Sequence, residues 1–447
     1  MDGVRTLILC VPIFFLAIPL IFLSTLRLEL VQLNDPSGED NVPQIVEISR
    51  ADKLSIKEFE DSYEPDQILE QTPMNASVEQ QHEEESPHEF AEGLLGEKFK
   101  ADFQEHVAKN SSGEMELAQP LGEAAYESSS GEVDFTLATM TTLDRVWLLE
   151  EHCRRWSGPI VAIVYLKNNV NATNLEPITN IKHHPKCNKL TVSEYYAIDN
   201  YEHFPVNKLR NLAIRTVTTS HYILLDIDFL PSSGLYRDLH DMSTKADLLP
   251  TISDPKAAFV LPAFTLVKEC GTTSYCRKLL ESLPKHKTEV LQCTVSSKCN
   301  VFDYWNPSGH HTTGYNQWFL QKQYSIRQIK CFESNRYEPY LVLKRHKDLP
   351  LYDERFIGYG KNKIQHILHL RYSGYTFYVL GEHFIIHSPH PKSSSRREWE
   401  GSSHRNKMDK LFAIFLEKLQ ENAPNVVTHL CAKQTKKKKK KKRKAVL

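Results

Sequence analysis

Apolar and polar positions divide the chain into three stretches. The first runs from Thr6 to Leu26, 21 residues without a charge between Arg5 and Arg27. That is the length a helix needs to cross the hydrocarbon core of a membrane. Pro12 and Pro19 are tolerated there, and the competing reading is a cleaved signal peptide, although no small-x-small cleavage site follows the run. In the second stretch, from about residue 34, the pattern dissolves. The third begins near Val133 and alternates apolar runs with segments of 3.6-residue period.

In this third stretch 134–139 reads as a strand, 143–156 as an amphipathic helix and 159–166 as a fully apolar strand. A strand at 190–197, a helix at 206–216 and a strand at 221–225 repeat the pattern. Strands without alternation, separated by helices, predict a buried parallel sheet in an α/β domain. Further strands are read at 258–264, 339–343, 375–380 and 383–387, with helices at 363–373 and 407–421. No period of 20 to 50 residues recurs, which excludes a solenoid.

Charge sharpens these boundaries. Residues 34–134 hold 26 acidic and 6 basic side chains, a net charge of −20, with few aromatics. Such a segment cannot bury enough apolar surface to offset its chain entropy and predicts a disordered stem. The last 15 residues, 433–447, carry +10 and leave about +9 for 135–432. A basic domain suits a polyanionic ligand such as a nucleoside diphosphate. The expected order is a cytoplasmic tail 1–5, a transmembrane signal anchor 6–26, an acidic lumenal stem 27–132, a catalytic domain 133–432 and a basic tail 433–447.

The sequons at Asn75, Asn110 and Asn171 all follow the apolar helix, while Asn306 is excluded by Pro307. Of nine cysteines, Cys10 lies in the apolar run and eight remain. An even number in a lumenal domain predicts structural disulfides with the pairing left open. The five-residue gaps within Cys270/Cys276 and Cys293/Cys299, with no matching histidine pairs, do not suit zinc.

The candidate chemistry starts at Asp226-Ile227-Asp228. Two carboxylates at i and i+2 in extended chain point to one side and can share a hard divalent cation, Mg²⁺ or Mn²⁺, on a diphosphate. Asp-x-Asp also occurs on solvated turns. Its position after a buried apolar strand favours the functional reading, since ligands collect beyond the carboxyl ends of strands in open α/β sheets. His387 ends another predicted strand. An imidazole beside two carboxylates would favour manganese, but a histidine at a strand end can equally be structural.

The segments 204–213, 224–231, 234–236 and 261–264, with Glu338-Pro339-Tyr340, 352–356, 360–363 and 384–387, occur in an order that resembles glycosyltransferase family 49. This family contains the second catalytic domain of LARGE and beta-1,4-glucuronyltransferase 1. The resemblance covers about 133–420 and implies a Rossmann-like GT-A fold, with Mn²⁺ held by Asp226, Asp228 and His387. It also implies inverting transfer from a UDP-sugar. Glucuronic acid passing from UDP-glucuronate to an O-mannosyl glycan of the alpha-dystroglycan type, in the Golgi, is the expected reaction. UDP-xylose or UDP-N-acetylglucosamine donors, and an inactive membrane-tethered glycan-binding protein, are the alternatives.

Inversion needs a carboxylate to take the acceptor proton, and Asp353 and Glu354 are the sequence candidates, unless they pair with Arg355 or cap the turn before Gly358 and Gly360. Asn207, Arg210 and Asn211 share one helix face, suited to uridine or diphosphate or else merely polar. The cluster around Tyr315 and Trp318 suits sugar stacking or an aromatic core. The run from Lys436 to Lys444 reads as a solvated tail or one that meets an acidic glycan or membrane surface. No nucleic-acid partner is expected.

Overall fold

The computed structural model describes residues 117, 120–122, 132–167, 175–197, 204–390, 403–422 and 426–432. The expected membrane helix, the three sequons, most of the stem and the basic tail lie outside these residues. Among the described residues no helix is long and apolar enough to cross a membrane.

The apolar runs form strands where the pattern placed them. β1 (Phe135–Thr142), β2 (Ile160–Leu166), β3 (Leu190–Tyr196) and β4 (His221–Asp226) lie parallel in the order β3-β2-β1-β4. Helices between them cover the sheet, so β1, β2 and β4 are buried almost throughout. The order reverses at β1, which leaves a crevice beyond the carboxyl ends of β1 and β4. The chain continues as β5 (Phe229–Pro231), β6 (Ala257–Leu261), β7 (Ala263–Leu266), β8 (Cys299–Val301) and β9 (Ile326–Gln328). After these come β10 (Cys331–Phe332), β11 (Tyr340–Lys344), β12 (Thr376–Leu380), β13 (Ile385–His387) and β14 (His429–Leu430).

β11, β6, β12 and β9 extend the large sheet beyond β4. β11 runs antiparallel to both β4 and β6, so the sheet is mixed, and the start of β11 lies beside the end of β4. A smaller sheet of order β5-β13-β7-β8 stands next to it. The segment expected as one strand at 258–264 is split between the two sheets. Pro262, with no N–H to give a ladder, marks the break, and its carbonyl accepts instead from Ile385 N–H at 2.9 Å. The chain also passes between the sheets at 226–229, so both crossings fall at one junction.

Two other expectations shift. The helix read at 143–156 is a 3₁₀ segment, Leu143–Leu148, followed by an α-helix, Leu149–Arg155. The domain expected to start at 133 also takes in 120–122, where Leu121 N–H donates to Leu349 O at 3.0 Å and the side chain is buried.

All eight cysteines after the apolar run are paired, as Cys153–Cys187, Cys270–Cys276, Cys293–Cys299 and Cys331–Cys431. The last closes a separation of 100 residues and fastens β14 to β10. Loop entropy in the unfolded chain predicts that C331S/C431S costs about 4–5 kcal/mol and C270S/C276S only about 2 kcal/mol. Equal losses in denaturant unfolding of the two double variants would contradict this.

Three buried histidines are spent on backbone. His152 Nε2 meets Ile227 O at 2.9 Å, His221 Nε2 meets Ile252 O at 2.9 Å and His366 Nε2 meets Pro350 O at 3.0 Å. Burial lowers their pKa, to about 4, about 4 and about 3. Each ring is therefore neutral when folded, and below the ordinary value of 6.5 the unfolded chain binds protons that the folded one refuses. Stability falls as pH drops from 6.5 toward 4, by up to about 1.4 kcal/mol per pH unit for each histidine. His221→Gln should make that slope shallower by one proton in unfolding curves at pH 7, 6 and 5. An unchanged slope would remove His221 from the account.

Candidate active site

The acid pair sits at the junction of the two sheets. Asp226 is the last residue of β4, Ile227 and Asp228 form a turn, and Phe229 opens β5. The turn is held by its own carbonyls: His152 binds Ile227 O, and Ser388 N–H donates to Asp228 O at 2.7 Å. Asp226 is in extended chain but Asp228 lies in the turn, so the i, i+2 geometry does not hold across the pair. Their carboxylates accordingly take different partners.

Asp226 accepts from Arg210 at 2.8 Å on one oxygen and from the Tyr340 hydroxyl at 2.7 Å on the other. Lys363 Nζ lies 3.5 Å from the second oxygen and donates to Tyr340 Oη at 2.9 Å. Burial pushes the Asp226 carboxyl up, but Arg210 and Lys363 outweigh it and hold it below the ordinary carboxylate range. Burial and Asp226 raise Tyr340, which stays protonated and so remains the donor.

Asp228 faces the other way. His390 Nε2 lies 2.8 Å from its Oδ2, Arg145 Nη1 3.1 Å and His387 Nε2 3.9 Å. Burial opposes its ionisation, yet the hydrogen bond from His390 and the Arg145 guanidinium hold it ionised. His387 stands between the rings of Phe229 and Phe302, with centroids at 5.1 and 5.2 Å. Its pKa is lowered by burial to about 4, which leaves the neutral imidazole a metal needs.

Ligand atoms of Asp228, His387 and His390 all lie within 4.8 Å of one another. One carboxylate and two imidazoles suit a divalent transition metal better than Mg²⁺ or Ca²⁺, which take oxygen. The expected trio was Asp226, Asp228 and His387. The structure brings together the last two with His390, while both oxygens of Asp226 are engaged elsewhere.

The remaining sequence candidates are distributed as follows. Asn207 and Asn211 are buried and bind protein backbone: Asn207 donates to Asp353 O at 2.8 Å, and Asn211 both donates to Tyr352 O at 2.8 Å and accepts from Tyr352 N–H at 2.9 Å. Arg210 binds Asn207 and Asn362, each at 3.0 Å, besides Asp226. Asp353 is buried and paired with Arg355, whose Nε donates at 2.8 Å. Glu354 is exposed and accepts from Asn211 at 2.9 Å.

Tyr315 and Trp318 belong to the core. Trp318 is fully buried with its indole N–H on Leu380 O at 2.8 Å, and Tyr315 Oη donates to Ala263 O at 3.1 Å. Neither offers a face to a sugar.

Sequence reasoning assigned no role to Arg145, Glu338, Tyr340, Lys363 or His390. His390 follows His387 with two residues between them, shorter than the usual spacing of paired metal histidines, so the sequence alone did not join them. Nothing local marks Arg145, which arrives only because β1 lies beside β4. If the trio binds metal, Mn²⁺ at 100 times its Kd should stabilise the protein by about 2.7 kcal/mol. Asp228→Asn and His390→Ala should abolish the thermal shift, and Glu354→Gln should keep it. A full shift in His390→Ala would exclude that residue as a ligand.

Comparison with known proteins bears on this arrangement. The profile of a family described as "Glycosyl-transferase for dystroglycan" matches residues 169–424. The xylosyl- and glucuronyltransferase LARGE2 of Mus musculus is 33% identical over 295 residues, covering 64% of this chain and 39% of its own length. Homo sapiens LARGE1, also a xylosyl- and glucuronyltransferase, is 32% identical over 270 residues, covering 60% of this chain and 33% of its own. The chain thus spans 33–39% of the length of these relatives. The solved structure of S. aureus TarS 1-349 with UDP-GlcNAc is similar at 9% identity and a TM-score of 0.38, over 65% of this chain and 68% of that one, too distant to draw on. The family match takes in more than half of the chain, with both acids and both histidines inside it, and the chain belongs to the family of glycosyl-transferases for dystroglycan.

Proposed function

We propose that this chain is an inverting, metal-dependent glycosyltransferase that moves glucuronic acid from UDP-glucuronate to an O-linked glycan, of the O-mannosyl type found on alpha-dystroglycan. The observation that carries the reading is the pairing of a metal-competent group, Asp228, His387 and His390, with three cationic side chains, Arg145, Arg210 and Lys363, at the carboxyl ends of β1 and β4. A nucleoside diphosphate needs both. The related LARGE proteins, which are xylosyl- and glucuronyltransferases, suggest the sugar.

Asp228, His387 and His390 would hold the cation, Mn²⁺ by the choice of donors and Mg²⁺ as the alternative. When bound, it would offset the charge that builds on the departing diphosphate. Arg210 and Lys363 would bind the same anion, and Asp226, which they meet here, would hold them in place until it arrives. Arg145 reaches from the end of β1 to the carboxylate beside it. The Golgi lumen is the proposed location, with the apolar 6–26 segment as a type II anchor and the acidic stem as spacer.

A donor panel with the full chain in detergent tests this. UDP release with Mn²⁺ and a xylose-terminated oligosaccharide should be greatest with UDP-glucuronate and should stop on chelation. Turnover of UDP-xylose or UDP-N-acetylglucosamine alone would replace the donor and keep the chemistry. No UDP release from any donor, in wild type as in Asp228→Asn protein, would point to an inactive glycan-binding protein instead.

A further inference from the structure

The donor half of the site leaves the acceptor half unassigned, and both aromatic residues expected to meet a sugar are in the core. Another aromatic pair has no such use. Tyr304 and Trp305 are 45% and 62% exposed, and Trp305 is among the most exposed large apolar side chains of the described residues. Their rings pack edge to face with centroids 4.7 Å apart. They follow Phe302 by two and three residues, and the ring of Phe302 lies on His387, so the turn that carries them starts beside the metal-competent group.

The turn that projects them is fixed. Asp303 takes a left-handed backbone at φ 54°, which a non-glycine residue adopts at a cost. Its carboxylate accepts from Asn306 Nδ2 at 2.9 Å and its carbonyl accepts from Asn306 N–H at 2.8 Å. Gly309, just beyond, accepts from Glu338 N–H at 3.0 Å. A methyl group placed on Gly309 would lie 3.4 Å from Asn306 Nδ2, 3.9 Å from Glu338 Cγ and 4.0 Å from Asp303 Oδ2, so the turn and Glu338 converge on Gly309 and border the space around it. Glu338 is half-buried, two residues before Tyr340, with its carboxylate 3.9 Å from Lys363 Nζ.

We propose that this space is the acceptor subsite, in which Trp305, backed by Tyr304, stacks on the terminal sugar of the acceptor glycan and Glu338 takes the proton of the attacking hydroxyl. The inference rests on the transferase reading given above. In the step, the acceptor oxygen bonds to the anomeric carbon of the donor as the bond from that carbon to the diphosphate breaks. The electron pair leaves with the nucleoside diphosphate and the proton goes to Glu338.

The carboxylate faces suit that role. Burial raises Glu338 above the ordinary glutamate value, with Asp303 and Asp226 adding to the rise and Lys363 and Arg210 opposing it. A raised carboxylate is a stronger base. Asp353, by contrast, is buried against Arg355, and exposed Glu354 is held by Asn211. Stacking on an exposed indole is how a sugar ring gains affinity from its apolar face without a deep pocket.

The test pairs glycan binding with kinetics. Saturation-transfer NMR of a xylose-terminated oligosaccharide on the full chain should show contact to wild type and lose it in Trp305→Ala. In turnover assays Trp305→Ala should raise the acceptor KM about tenfold, while Tyr275→Ala, an exposed aromatic elsewhere, should not. Glu338→Gln should lower kcat about 10²–10⁴-fold with UDP affinity by calorimetry within threefold of wild type.

Wild-type acceptor KM in Trp305→Ala, a kcat within threefold of wild type in Glu338→Gln, or a Glu338→Gln loss matched by lost UDP affinity would each overturn the proposal. Those outcomes leave the transferase reading standing. Oligosaccharide binding that needs Trp305, in a protein that turns over no UDP-sugar, would instead overturn the transferase reading and keep the subsite.

Discussion

Two carboxylates flanking a single residue, at the point where the chain leaves one sheet for another, cannot both be half-buried and ionised unless cations meet them. The site is built around that constraint. Asp226 is met by Arg210 and Lys363, and Asp228 by Arg145, with the imidazoles of His387 and His390 beside it. The turn between them cannot rotate to share one set, because His152 and Ser388 hold its two carbonyls from opposite elements. Each carboxylate is thus already charge-compensated before any ligand arrives. On the proposed transferase reading a diphosphate and a metal would enter together by exchange, the anion taking over the basic side chains and the metal the carboxylate and imidazoles. Either alone would leave a desolvated charge of one sign, which favours binding of the two as a pair.

The Val206–Thr216 helix makes the arrangement rigid. Its face of Asn207, Arg210 and Asn211 is polar yet buried, a pattern that is costly unless every group is satisfied. Here it is: the two amides clamp the backbone at 352–353, and Arg210 spans Asn207, Asn362 and Asp226. The helix also determines where the loop carrying Asp353 and Glu354 lies, and Arg210 stacks over the Tyr352 ring at 5.2 Å. The loop that follows turns through Gly358 and Gly360, both at positive φ, and delivers Lys363 to Asp226. Polar residues that looked like ligand contacts on an isolated helix are in large part the fastening between the sheet and this loop.

Much of the fold was legible because parallel strands buried on both faces leave long apolar runs, as at 160–166 and 221–225. The short strands were not. β8 and β9 have three residues each and half-exposed patterns, below what periodicity can resolve. Pro262 was visible, but its consequence, a change of sheet, depends on which strand waits on the other side. In the site, Asp228 and His387 could be read, since each ends or follows an apolar strand. Arg145 could not, because its arrival depends on β1 and β4 being neighbours across more than 80 residues of chain, the separation of the Arg145–Asp228 pair being 83. Tyr315 and Trp318 misled for a related reason: composition suits a sugar site and a core equally, and only burial separates them.

The two halves of the site differ in how they are held, and that difference has a functional sense. The proposed donor half hangs on the ends of buried strands, β1, β4 and β13, where any shift would disturb ladder pairing in one sheet or the other. The half facing Trp305 is carried by an exposed turn between β8 and the next helix, fixed by hydrogen bonds within itself and one to Glu338. Sequence change in such a turn costs the fold little, whereas change at the strand ends would cost it much. A transferase built in this way can keep one nucleotide-sugar chemistry while its acceptor preference alters. Discrimination among acceptors would then reside in residues 303–309, and discrimination among donors in the strand ends.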